Sequence, residues 1–184
     1  MSRVRSAGIT LLLLAALPGH VLAQDALPMS AESLVHERAG VLVGCGIRVT
    51  GGSAAPRAAS SWFDVSVNVF RRGFAVAQAI AYEMPRSTFD VEARPAQVPI
   101  QSAWIAAGEG SAKLGESAER QASLIYTLAM DDAISVFDAA ARGSPLTLGI
   151  KRWGQRSDSV HGGAATLTHE SRDRIAACLA RLAA

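Results

Sequence analysis

The sequence of 184 residues is 49% hydrophobic, with 18 Lys and Arg against 16 Asp and Glu. Arg3 and Arg5 are the only charged residues among the first 23, so the other 184 − 23 = 161 carry 16 basic and 16 acidic groups and are formally neutral. The basic residues cluster only at Arg71-Arg72 and, loosely, at Lys151-Arg152 with Arg156. That lacks the charge footprint of a nucleic-acid binder and excludes nucleic acid as an expected partner.

Met1 to Arg5 form a basic start, Ala7 to Leu17 an apolar run, and Val21-Leu22-Ala23 small residues after the break at Pro18-Gly19. This is the pattern of a secretory signal peptide cleaved after Ala23, the run being shorter than the roughly 20 residues of a membrane span. No later stretch of that length stays apolar, so no membrane span is expected after cleavage. Residues 24–184 are then expected to form one globular domain in the periplasm or secreted space, a length sufficient for one adequate core. Only two lysines, Lys113 and Lys151, stand among abundant Arg and Ala, a composition that suggests a GC-rich bacterial genome.

In chain order, Ser30 to Ala39 predicts a helical turn or two, with Ser30 as N-cap, Gly40 as stop and His36 on its surface. From Val41 the period changes to two. Val41, Val43, Cys45, Ile47 and Val49 share one strand face, Gly44, Gly46 and Arg48 the other, and Gly51-Gly52 close the strand. Phe63, Val65, Val67 and Val69 alternate with Asp64, Ser66 and Asn68 in the most regular strand of the chain. Arg71-Arg72-Gly73 is its turn, with Gly73 able to take positive φ, and Phe74 to Tyr82 is the returning strand. That strand carries Ala75, Ala77, Ala79 and Ala81 on one face, a row that admits close approach of a helix or of another chain.

Met84 to Pro99, with three prolines, predicts an irregular loop. Ile100 to Ala106 is a short strand, followed by a glycine-rich loop at Gly108 and Gly110 that does not fit a phosphate-binding pattern. Ala122 to Ala129 leans to strand. A helix is expected near Asp132 to Arg142, with Asp131 as cap, Ile134, Phe137 and Ala141 as its stripe, and Gly143 with Pro145 as its end. Leu146, Leu148 and Ile150 alternate as the next strand. Ser157 to Thr168 predicts a weak hairpin around Gly162-Gly163. The closing helix begins near Thr168 or Ser171 and aligns Ile175, Cys178, Leu179 and Leu182.

Cys45 and Cys178 thus lie on apolar faces of a strand and a helix, and the chain holds no other cysteine. A redox pair is usually local and a structural zinc needs four ligands, so in an oxidising compartment the two predict a disulfide. The expected architecture is α+β: an antiparallel sheet or sandwich of about six or seven strands, one internal helix and a C-terminal helix pinned by Cys45 and Cys178.

For function, Asp158, Ser159, His161, His169 and Asp173 are the one gathering of titratable groups. A small secreted hydrolase using His161 with Asp158 or a nearby serine is the catalytic alternative, although no Gly-x-Ser-x-Gly motif accompanies it. A metal site of His161, His169 and Asp173 is geometrically allowed, but no His-Glu-x-x-His pattern supports it. The preferred reading needs no catalytic residue, metal or cofactor. A rigid hairpin presenting Arg71 and Arg72 to a carboxylate or phosphate fits a non-catalytic protein that binds another protein or a cell-envelope ligand. Trp62, Trp104 and Trp153 are scattered, as core or rim tryptophans usually are, rather than grouped as a carbohydrate platform.

Overall fold

The computed structural model describes residues 29–53, 60–84, 96–121, 123–154 and 161–183. The predicted signal segment, Asp158 and Ser159 therefore lie outside the described residues. Strand-forming alternation dominates what is described: β1 (Met29–Arg38), β2 (Val41–Ser53), β3 (Ser60–Phe70), β4 (Phe74–Met84), β5 (Ala96–Val98), β6 (Ile100–Ala107), β7 (Gly110–Gln121) and β8 (Ser123–Leu128) precede the helix α1 (Met130–Ala141). Then come β9 (Leu146–Arg152), β10 (His161–Ala165) and the helix α2 (His169–Ala183).

Two antiparallel sheets result. The larger runs β1-β2-β3-β4, and the second edge of β4 is shared by β8 along Ala75–Ile80 and by β5 along Ala81–Glu83. The smaller runs β10-β9-β6-β7. β7 ends in the smaller sheet at Gln121 and β8 begins in the larger at Ser123, so the chain changes sheets there.

The inner face of the larger sheet is the apolar face expected from the alternation. Cys45, Ile47 and Val49 of β2, and Val65, Val67 and Val69 of β3, are fully buried. The alanine row of β4 is buried too, so its small side chains serve α1 and β6 within the chain, and the row offers no face to a second chain. Ile105, Leu146, Leu148 and Phe137 join the same core cluster. Burial of a side chain such as Phe137 contributes about 1.5–3 kcal/mol.

α1 packs against β3, β4, β6 and β7, and α2 against β1, β2 and α1. The bond between Cys45 and Cys178 (Cα–Cα 5.9 Å) fastens α2 to the middle of β2 across 133 residues of sequence. Both cysteines are buried and no free cysteine exists. Arg152 of β9, almost fully buried, reaches Glu83 of β4 at 2.5 Å and ties the two sheets by charge.

Several sequence expectations change in detail: Val41 leaves the apolar face of β2 and Leu42 takes its place, and Ala96–Val98, within the expected irregular loop, forms β5. Met29–Arg38 form an edge strand and Ala39 its turn, because Ala31 and Ser33 turn inward beside Val49 and Ile47 while Glu32, Leu34 and His36 lie on the outer face; sheet pairing outweighs a weak helical cap. α1 starts at Met130, and Asp131, with Asp132, lies in its first turn rather than capping it; the N-cap, Ala129, makes no side-chain cap bond. Gly162-Gly163 is strand, paired with Gly149 and Leu148, rather than a hairpin turn. Gly110–Gln121, which has little apolar alternation, is a full strand on β6. The closing helix agrees closely: the Thr168 hydroxyl accepts from the Ser171 N–H at 3.2 Å, the N-cap bond.

Candidate ligand-binding end of the larger sheet

The outer face of the larger sheet is built by the polar half of the same alternation. In its middle, Arg48 of β2 donates to both carboxylate oxygens of Asp64 on β3, from Nε at 3.1 and 3.0 Å and from Nη2 at 2.5 Å. Glu32 of β1 approaches the same guanidinium at 3.5 Å. The hydrogen bond to Asp64, then its charge, raises the Arg48 pKa above the ordinary value; partial burial opposes this and Glu32 adds to it. A shallow cavity of about 250 Å³ beside this pair is lined also by Leu34, Ser66, Gln78 and Ile80. Its charges are matched inside the chain.

Toward the turns, glycine makes room for aromatic rings. A Cβ at Gly44 would lie 2.7 Å from the Phe70 ring, so the absence of a side chain lets Phe70 lie across β2. There Phe70 stacks on Phe74 (centroids 4.8 Å) and on His36 (5.7 Å). His36 Nε2 also meets Asn68 Oδ1 at 2.7 Å. His36 is therefore a half-buried strand residue, not the surface helix residue its surroundings in the sequence suggest.

Beyond this row the register of β1 and β2 slips: His36 pairs Gly44, but Glu37 pairs Leu42, leaving Val43 as a bulge. Bulges re-aim side chains. Leu42 turns into the core, while Val41 is 54% exposed. The turn that follows uses positive φ at both Ala39 (52°) and Gly40 (75°), the pattern of a two-residue hairpin whose twist matches its strands. The neighbouring turn, Arg71-Arg72-Gly73, has Gly73 at φ 80° with its N–H on Phe70 O at 3.0 Å. Arg71 N–H donates to Val43 O at 3.0 Å and locks the two hairpin ends together.

Between these ends lies a cavity of about 370 Å³, floored by Val41, Leu42, Val43, Phe70 and Phe74 and flanked by Arg38, Arg71 and Arg72. Phe74 is 41% exposed there. None of the three guanidinium groups has an acidic partner among the described residues, whereas Arg48, Arg152, Arg174 and Arg181 are all ion-paired. The hairpin that presents Arg71 and Arg72 was readable in the sequence. Arg38 was not identified because its segment read as the end of a helix, and Val41 was placed on the apolar face with Cys45, which the bulge at Val43 overturns by turning Leu42 inward instead; the Ala39-Gly40 turn was the available signal.

The catalytic and metal alternatives gain less. His161 begins β10 opposite Ile150, and its expected partner Asp158 is outside the described residues. His169 and Asp173 meet at 3.4 Å on the first turns of α2, both strongly exposed. Among the described residues no group of three or more His, Cys, Asp or Glu could hold a metal ion. Trp62 and Trp104 are exposed on different sheets and form no common platform.

Comparison with protein-family models, with curated proteins and with solved structures finds no match for this chain.

Proposed function

We propose that this is a non-catalytic periplasmic or secreted protein that binds another protein or a component of the cell envelope, with Arg71 and Arg72 at the contact. The observation that carries this reading is the apolar cavity between two hairpin ends, flanked by three arginines that have no acidic partner among the described residues. Unpaired guanidinium groups beside exposed apolar side chains have their recognition chemistry still to satisfy, and a carboxylate or phosphate would accept from them bidentately. The signal-like N-terminus and the Cys45–Cys178 bond suit an oxidising compartment. Among the described residues no helix is long and apolar enough to cross a membrane.

The test is affinity capture from envelope extract of the producing cell, using wild type, Arg71→Glu with Arg72→Glu, and His161→Ala. The expected result is one partner retained by wild type and by the histidine variant and lost from the double arginine variant. Retention by the double variant overturns the assignment of the contact. An ester- or amide-cleaving activity abolished by His161→Ala would replace the reading by the hydrolase.

A further inference from the structure

We infer that the hairpin-end cavity takes an apolar side chain of an acidic peptide segment, the carboxylates before and after that side chain being gripped by Arg38 on one turn and Arg71 and Arg72 on the other. This rests on the binding reading above and names its ligand. Size comes first. At about 370 Å³ the cavity lies at the small end of the range for ligand sites, room for a side chain or two rather than for a large cofactor. Its floor of Val41, Phe70 and Phe74 offers no side-chain hydrogen-bonding group, so what enters it is apolar.

Charge decides the flanks. Arg38 ends β1 at the Ala39-Gly40 turn and Arg71 and Arg72 occupy the β3–β4 turn, so positive charge stands on two sides of the apolar floor. Free phosphate would satisfy the guanidinium groups and leave that floor in water. A flat anionic membrane would cover the rims at Val41 and Phe74, 54% and 41% exposed, and leave the cavity between them unfilled. A segment with an apolar residue between acidic ones satisfies both parts at once.

The backbone supports the same choice. Strand addition needs free N–H and C=O groups, yet Val43 O, the carbonyl of the bulge residue, already accepts from Arg71 N–H. Recognition at this point therefore runs through side chains. Phe70, stacked between His36 and Phe74, is fixed before the ligand arrives, which lowers the ordering cost of binding.

The experiment measures anisotropy of labelled peptides on the full chain. One peptide set carries aspartates on both sides of a central Leu, Phe or Ala, a second set carries lysines in their place, and phosphatidylglycerol vesicles and inorganic phosphate are separate probes. The expected result is binding of the acidic Leu or Phe peptide at least about tenfold tighter than of its Ala-centred or Lys-flanked analogue. That binding should fall as salt rises from about 0.1 to about 1 M, where the screening length shrinks from about 10 to about 3 Å. Arg71→Ser with Arg72→Ser and, separately, Val41→Asp should each weaken it about tenfold or more with an unchanged melting temperature.

Equal affinity for acidic and Lys-flanked peptides, or binding of vesicles or phosphate alone, overturns the inference. If no acidic peptide binds while the captured partner still depends on Arg71 and Arg72, the ligand class is wrong and the binding surface stands. If capture is also indifferent to those arginines, both readings fall.

Discussion

The middle and the turn end of one sheet face carry the same residue type to opposite purposes. Arg48 stands among Asp64 and Glu32 and spends its donors on Asp64, so the central cavity presents a neutralised surface. Arg38, Arg71 and Arg72 flank the end cavity with no acid among the described residues. The difference shows that the meaning of an arginine lies in its cross-strand neighbours. Asp64 and Glu32 reach Arg48 because Thr50–Asp64 and Glu32–Arg48 are register pairs, whereas the two turns, Ala39-Gly40 and Arg71-Arg72-Gly73, bring no acid to one another.

The largest expected effect tests whether both regions depend on one frame. Cys178→Ser should lower stability by about 2–5 kcal/mol, read from the urea midpoint, because it removes the bond that holds α2 beneath β2 and places a hydroxyl in a buried site. The loss should appear equally in probes at the middle and at the turn end. An unchanged midpoint would show that packing alone holds the helix.

A smaller effect separates the regions directly. Arg48→Ala removes the cation that stands between Asp64 and Glu32 and should cost about 1 kcal/mol, a figure kept low because the Arg48 side chain is 43% exposed. Arg71→Ala with Arg72→Ala, at exposed positions whose guanidinium groups have no acidic partner among the described residues, should stay within about 0.5 kcal/mol of wild type. Paired melting curves decide it, and equal losses would erase the distinction between structural and available arginines.

The smallest effect tunes the turn that carries Arg38. Ala39 holds φ 52°, a conformation that strains alanine and suits asparagine, so Ala39→Asn should stabilise the hairpin by about 0.5–1 kcal/mol. A lower melting temperature would mean that the turn is held by its surroundings and not by its own preference.

How much of this was legible follows the strength of the local patterns. Phe63 to Val69 and the alanine row of β4 announced their strands and faces, because each residue there agrees with its pleat. The β1 segment was misread since its inward positions, Ala31 and Ser33, are weakly apolar while Ser30 resembles a helix cap; only pairing with β2 reveals them. Gly110–Gln121 and Gly162-Gly163 likewise become strands through partners distant in sequence, β6 and β9. For the candidate site, Arg71 and Arg72 were visible as a local turn. Arg38 and Val41 required a second hairpin and a bulge, both products of register rather than composition.

The disulfide also constrains the order of events during biogenesis. Cys45 leaves the ribosome long before Cys178, 133 residues later, and the chain offers it no other cysteine in the interval. Within these 184 residues no scrambled bridge can form, and an early disulfide can only join two nascent chains or a chain to a carrier thiol. Quality control for this protein reduces to keeping one thiol apart from its neighbours until the last helix is delivered.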